Sequence, residues 1–563
     1  MKSHLKELLI RAIEKMAKGE ELEMTDLPPL LLEPPKQKEF GDLACNVAMV
    51  WAKRQRKPPR AIAEAIVKNL EDRDGILAKV EIAGPGFLNF SFAPKFYYER
   101  LREFEARQEL TPNLGRGEKV QVEFASANPT GPVHVGHGRV AVIGDVLARL
   151  LAATGFNVER EYYVNDTGNQ MEKLGQSIYV RYRELFGEKI DFPEGGYPGD
   201  YVRELAMEAR QRWGEKFLSE PQDAAAAFFS QYGGENLLAT IRDDLSRFGI
   251  GFDSFVSEKD LRARGEVEKT ISLLAGRNML YEQEGARWFK STAYGDDKDR
   301  PLVKSDGELT YFASDIAYHR NKLERGFKKL INVWGADHHG YVARLKAALG
   351  ALGYDPEALQ VVLVQLVQLT RGGEPVRMGK RQGEFVSLRE VLDEVGNDAA
   401  RFFFLMRKSD SHLDFDLELA KKESSENPVF YVQYAHARIA SIFEQARQSG
   451  VEMTDRSARA VKLERLSEPE ELALIKHVIQ LPEAVEESVN ELEPHRLVFY
   501  LLELAGEFHR YYNRFRVVSD DADLTRARLI LLRNVQKVIG GGLTLLGVTA
   551  PLKMAARADA AVK

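Results

Sequence analysis

Residues 120–150, VQVEFASANPTGPVHVGHGRVAVIGDVLARL, decide how this chain folds. Val120 to Phe124 alternate apolar and polar side chains in β-rich composition, the pattern of a strand. A tight polar connector follows, Ala127-Asn128-Pro129-Thr130-Gly131-Pro132. His134-Val135-Gly136-His137-Gly138 then opens a helix that carries Val140, Ile143, Leu147 and Leu150 on one face. A strand, a glycine-punctuated loop and a helix N-terminus together form an anion site, because free N–H groups and the positive end of the dipole face the same point. Two imidazoles at that mouth add hydrogen-bond donors, and Gly136 between them permits close backbone approach. The electrostatic expectation is a cluster of fixed positive groups around phosphate.

The remaining composition narrows the class. The chain has 563 residues, is 44% hydrophobic and 29% charged, and carries a formal net charge of −6. That is room for several domains with real cores, and any polyanion site must be a local patch. The single cysteine, Cys45, excludes an internal disulfide and a cysteine-cluster zinc site. It lies in the apolar run Leu43-Ala-Cys-Asn-Val-Ala-Met49, the setting of a buried small hydrophobe. Leu5 to Met16 is broken by Lys6, Glu7, Arg11, Glu14 and Lys15, which makes an amphipathic helix and no signal peptide. With no long uncharged apolar run, no membrane span is expected, and the location expected is the cytoplasm.

Working outward, residues 1–112 read as an α+β unit. It has helices over Leu5–Met16 and Ala61–Leu70, and a strand at Leu88-Asn-Phe-Ser-Phe92 after a Gly-Pro-Gly turn. Strands and helices alternate from residue 113 to 390: a strand over Asn157–Val164, a helix over Asn169–Leu185, a strand at Leu309–Phe312, a helix at Ser314–Glu324. A strand at Leu330–Trp334, a helix at Tyr341–Leu352 and a strand at Gln360–Leu366 follow. The rhythm lapses between about 186 and 300, which reads as an insertion. The fold class is therefore α/β, a Rossmann-like parallel sheet with ligands at its C-terminal edge. A connecting segment, 391–426, leads to helices over 427–563 that predict a bundle.

Several segments carry a family resemblance over nearly the whole chain. His-x-Gly-His after a strand is similar to the nucleotide-binding signature of class I aminoacyl-tRNA synthetases, and the longer string Glu123 to His137 resembles arginyl-tRNA synthetases. Phe40-Gly-Asp-Leu-Ala44 resembles that family's N-terminal domain, which meets the tRNA elbow. Tyr311-Phe-Ala-Ser-Asp315, Gly335-Ala-Asp-His-His-Gly340 and Val376-Arg-Met-Gly-Lys-Arg-Gln-Gly383 resemble its substrate segments. Asp398-Ala-Ala-Arg401 and Asn427 to Arg438 resemble the start of its anticodon-binding bundle.

The resemblance implies an arginine–tRNA ligase acting with ATP, Mg²⁺ and tRNA as a monomer. His134, His137 and Lys380 become catalytic groups. Gly136, Asp337, Arg377 and Met378 join them around ATP. Glu123, Ser126, Asn128, Tyr311, Asp315 and His338 surround arginine, with Asp315 as acceptor for the planar guanidinium. Arg377 and Gly379 depart from the Lys-Met-Ser-Lys pattern, whereas Lys380 matches its second lysine. Arg54, Arg56, Tyr431, Arg438, Tyr511 and Tyr512 become tRNA contacts, the tyrosines by stacking on unpaired bases. No bound metal is assigned, although the two histidine loops offer zinc-like ligands.

Blander readings stand beside these. Ser314 or Asp315 would serve as a helix cap, and the basic loops as solvated surface. Two other functions also fit parts of the chain. Gly136-His-Gly138-Arg-Val-Ala141 matches a dinucleotide fingerprint with Glu159 or Glu161 downstream, which suits an NAD-dependent oxidoreductase. The other is a catalytically silent tRNA-binding relative.

Overall fold

The computed structural model describes residues 1–18, 27–35, 37–376, 386–451 and 458–554. The chain divides into two compact units. One comprises Met1–Leu110, Ala435–Glu483 and Glu503–Ile539; the other comprises Thr111–Tyr434, Ala484–Leu502 and Gly540–Lys563.

The second unit is built on a five-stranded sheet, ordered Leu359–Val364, Lys329–Gly335, Lys119–Glu123, Asn157–Val164, Ser254–Ser257. Every neighbouring pair is parallel. Lys119–Glu123 lies at the centre, and Glu123 sits in register with Asn332 on one side and Glu161 on the other. The helix Val135–Ala153 follows it and is buried on nearly every side, including Ala141, Val142, Gly144, Val146 and Leu151. It is thus enclosed, not amphipathic with one apolar stripe. Gly144 permits this closeness, because a β-carbon there would stand 2.2 Å from the Phe124 ring.

Two sequence expectations change. The strand expected at Leu309–Phe312 is a single bridge, Val303 with Leu309, after which the helix Tyr311–Glu324 begins. Thr310 causes the switch: its hydroxyl accepts from the Ala313 amide and caps the helix one residue before Tyr311. The stretch 186–300 is not wholly outside the sheet, since Ser254–Ser257 supplies its edge strand against Asn157–Val164. That four-residue strand is too short for periodicity to reveal. Around it lie an antiparallel sheet, Leu280–Gln283, Ala286–Phe289 and Arg300–Val303, and a helical module. The module, Asn169–Glu184, Asp200–Trp213 and Gln222–Arg247, has its own aromatic core of Tyr182, Phe217, Phe229 and Tyr232.

A buried node ties the histidine helix to the far end of the chain. Arg401 pairs with Asp145 and donates to the carbonyls of Leu546 at 3.0 Å and Phe248 at 3.1 Å. Gly547, at φ +69°, makes room for the guanidinium. Gln433 donates to Asp398 and to the Thr549 carbonyl.

The first unit holds a four-stranded antiparallel sheet, ordered Leu32–Glu33, Leu43–Cys45, Phe87–Phe92, Leu77–Ala83. Cys45 is buried there and burial pushes its thiol up. Helices from the C-terminal part of the chain share this unit: Tyr98 donates to the Leu466 carbonyl at 2.7 Å, and Lys476 to Asp42 at 2.7 Å.

Candidate active site

A cavity of about 990 Å³ opens at the C-terminal edge of the central sheet, lined by the ends of four of its strands and by residues of four helices. Its first wall is the Lys119–Glu123 strand and the turn after it. Ala125 takes φ +56°, a left-handed conformation for a residue with a side chain. The turn brings the Ser126 hydroxyl back to donate to Glu123 at 3.2 Å and to accept from the Tyr163 amide at 3.1 Å. Asn128 lines the same wall and donates to Gln170 at 2.6 Å.

The histidines begin the helix in a way that spacing alone did not reveal. His134 is the N-cap, and its Nδ1 accepts from the Gly136 amide at 3.1 Å. His137 Nδ1 accepts in return from the His134 amide at 3.2 Å. This is a reciprocal capping box made by two imidazoles in place of Ser and Glu. The rings lie face to face, 3.8 Å between centroids. Because each Nδ1 accepts a backbone proton, each ring carries its own hydrogen on Nε2 and is neutral. Burial pushes His134 down, and burial together with His134 pushes His137 down to about 3. The expected cluster of positive charge is therefore corrected: the pair offers neutral N–H donors. Gly136 serves this stack, since a β-carbon would stand 3.0 Å from the His134 ring.

Opposite, the Tyr311–Glu324 helix presents Asp315, which does not cap it; Thr310 does. Asp315 accepts from the Tyr341 hydroxyl. Burial, with Glu258 and Glu123 nearby, pushes it up to about 7, against the Tyr341 hydrogen bond and Lys322. Tyr311 is 51% exposed and lines the opening. Asp337 and His338 also line the cavity and stand 3.6 Å apart, both exposed.

The floor contains three carboxylates and two answering cations. Glu123 pairs with the fully buried Lys322 at 2.5 Å, and Glu258 pairs with Arg262 at 2.6 Å. Asp315 has no such partner within 4 Å among the described residues. Of the buried carboxylates on this floor, Asp315 alone among the described residues lacks a cationic partner, and it is the complement of one cationic side chain. Lys322 and Glu258 were missed from sequence. Lys322 lies on a helical face that reads as solvated, 199 residues from Glu123.

Lys380, Arg377 and Met378 lie outside the described residues. The chain resumes beside the histidines: Ser387 bridges His134, and the Leu388 amide donates to the Val133 carbonyl at 2.8 Å. Of the two acids of the dinucleotide rival, Glu159 is half-buried, with Ser254 donating to it, and Glu161 is enclosed. Glu161 is fully buried, accepting from Tyr318 and Ser254 and paired with Arg325, so it cannot meet a ribose. No three His, Cys, Asp or Glu groups converge as metal ligands among the described residues.

Arg54 and Arg56 are exposed at the end of the helix Val47–Gln55. Tyr431 and Arg438 are half-buried on the helix Pro428–Gln448. Tyr512 is 36% exposed, with the Arg438 guanidinium 4.6 Å from its ring centroid. Tyr511 is a correction: it is fully buried and donates to Glu471, itself paired with Arg528. Neighbours in sequence lie about 100° apart on a helix, so only one of two adjacent tyrosines faces outward.

Comparisons with known proteins agree with this architecture. A model described as tRNA synthetases class I (R), catalytic domain, matches residues 103–190 and 229–439. The arginyl tRNA synthetase N terminal domain matches 3–92, and the DALR anticodon binding domain matches 432–554. The arginine–tRNA ligase of Citrifermentans bemidjiense is 52% identical over 557 residues, spanning 98% of this chain and 100% of that protein. The chain belongs to the arginyl-tRNA synthetase family. The arginine–tRNA ligase of Syntrophotalea carbinolica is equally similar, 52% over 556 residues, 98% of this chain and all of that relative. The arginyl-tRNA synthetase structure from Thermus thermophilus shares the fold with a TM-score of 0.78 at 24% identity, covering 98% of this chain and 100% of that one. Residues 191–228, part of the helical module, fall outside the catalytic family model. No helix among the described residues is long and apolar enough to cross a membrane.

Proposed function

We propose that this synthetase chain is an arginine–tRNA ligase whose cavity holds arginine and ATP side by side. One observation carries the reading of the site: a buried carboxylate without a cationic partner, Asp315, shares a cavity with two neutral imidazole donors at a helix N-terminus. The guanidinium lies against Asp315 and Tyr311. Ser126, Asn128 and His338 line its approach, and Glu123, neutralised by Lys322, accepts as a hydrogen-bond partner more than as a charge. ATP sits toward His134, Gly136, His137 and Asp337, with Arg377, Met378 and Lys380 completing its surroundings.

The arginine carboxylate attacks the α-phosphorus, and pyrophosphate leaves. A ribose hydroxyl of the tRNA terminal adenosine then attacks the arginyl-adenylate carbonyl and releases AMP. Negative charge gathers on the phosphoryl oxygens in the first step. The Nε2–H donors of His134 and His137, the helix N-terminus and Lys380 meet it more strongly in the transition state than in the ground state. The described residues offer no cage for Mg²⁺, which belongs to ATP as its chelate.

Arg54 and Arg56 meet elbow phosphates, while Tyr431, Arg438 and Tyr512 serve the anticodon side. The protein works as a monomer in the cytoplasm, and its first step waits for tRNA. Charging bulk tRNA with each amino acid in parallel tests this reading. Arginine alone should be transferred, and Asp315→Ala should abolish arginine activation while ATP binding stays measurable. Transfer of another amino acid, or unchanged arginine affinity in the variant, overturns the pocket. ATP–pyrophosphate exchange without tRNA would overturn the tRNA requirement.

A further inference from the structure

Among the described residues, three arginines have fully enclosed side chains: Arg139, Arg320 and Arg401. Arg320 pairs with Glu266 and Arg401 with Asp145. Arg139 has no carboxylate within ion-pair distance among the described residues, and it leaves the histidine helix two residues after His137. Burying a cation without a direct ion pair is costly; burial lowers its pKa to about 10, with the charge of Asp410 opposing the shift, and this still leaves it charged.

Its hydrogen bonds show what it holds. Nη1 donates to the carbonyls of Gln365 at 2.9 Å and Ser411 at 2.8 Å, and Nη2 donates to the Lys408 carbonyl at 2.9 Å. The rigid guanidinium fork thus gathers backbone oxygens from two separate segments. Gln365 and Leu366 line the cavity together with His134, His137 and Val140. Residues Val367–Arg371 continue from that wall and pair in parallel with Leu413–Asp416, the strand just beyond Ser411. One side chain therefore fixes the spacing between the imidazole pair and the wall that faces it.

We propose that Arg139 is a positioning residue for adenylate formation, setting the Gln365–Leu366 wall at the separation from the paired imidazoles that the nucleotide requires. The inference rests on reading the histidines as the nucleotide end of the cavity. An ammonium at this position keeps the charge but cannot span three carbonyls.

The test compares Arg139→Lys with the parent protein in ATP–pyrophosphate exchange with tRNA present, rates normalised to folded enzyme. A wall displaced by about 1 Å loses roughly ten- to a hundredfold in turnover. The expected signature is that loss together with a raised KM for ATP and an arginine KM within about twofold of the parent. A lower melting temperature with an unchanged ATP KM would make Arg139 merely structural and overturn the proposal. Should Arg139→Lys fail to fold, Gln365→Gly loosens the same wall while leaving the guanidinium, and must raise the ATP KM; an unchanged value overturns the proposal. His134→Asn separates the two layers. If it impairs ATP kinetics while the other variants do not, Arg139 alone is misassigned. If none of the three does, the nucleotide reading of the cavity falls with it.

Discussion

Acidifying from pH 7 to pH 5 should weaken arginine use about fiftyfold, through one carboxyl group. Burial and the neighbouring Glu258 and Glu123 raise Asp315 to about 7 in the free protein. A bound guanidinium removes that penalty and returns the group to the ordinary carboxylate range, near about 4. Only the ionised form binds the cation well. At pH 7 half of the groups are already protonated, so the first unit down costs about fivefold and the second about eightfold, together about 2.3 kcal/mol. The sign follows from a raised folded pKa: kcat/KM for arginine climbs as pH rises toward 7 and levels above it. At pH 6 about 0.9 proton leaves per arginine bound. Steady-state charging at saturating ATP and tRNA gives the first quantity. Calorimetry in buffers of different ionisation enthalpy gives the second. Stability moves the opposite way. The folded protein holds this proton more tightly than the unfolded chain, so its contribution is full below about pH 4 and is lost as pH rises through 7. Asp315→Asn should raise the melting temperature at pH 8 while abolishing arginine binding. A flat KM for arginine between pH 5 and 7, or no proton release, would refute the reasoning.

His134→Asn keeps an N-cap acceptor but loses the Nε2 donor; adenylate formation should fall about a hundredfold or more with the arginine KM held, read by pyrophosphate exchange. Because both imidazoles are neutral, that exchange should show no histidine limb between pH 5.5 and 8, apart from the one Asp315 imposes through arginine; saturating arginine separates them. Lys322→Met leaves Glu123 buried without its partner and should cost about 3–5 kcal/mol in urea unfolding. Tyr512→Ala should raise the tRNA KM roughly tenfold, whereas Tyr511→Phe should leave it unchanged and lower stability; the reverse ordering would invert the face assignment.

Much of this was written locally. A strand, a proline-rich turn and a histidine-bearing helix follow one another within about thirty residues, so period and punctuation locate them. Asp315 was visible as a candidate for the same reason, although its rival role as a cap was settled only by the Thr310 hydroxyl. What escaped was non-local or too short. Lys322 reaches Glu123 across 199 positions, and a lysine on a helix gives no sign of being buried. The edge strand Ser254–Ser257 has four residues, fewer than alternation needs. Which of Tyr511 and Tyr512 faces outward turns on helical phase, which a composition of mixed basic and aromatic residues leaves undetermined. The neutrality of the imidazoles depended on which ring nitrogen the backbone occupies, a fact no spacing encodes.

The Arg401 node has a practical bearing on handling the protein. Leu546 and Thr549 are gripped by side chains from the helices Asn397–Phe404 and Pro428–Gln448, and the same arginine grips the helix that the histidines begin. A stop codon or protease nick shortly before Leu546 would take one carbonyl from that guanidinium and the Thr549 contacts from Gln433 and Asp398, loosening the node that holds the histidine helix. Damage at the carboxyl end would then register first as poor nucleotide turnover.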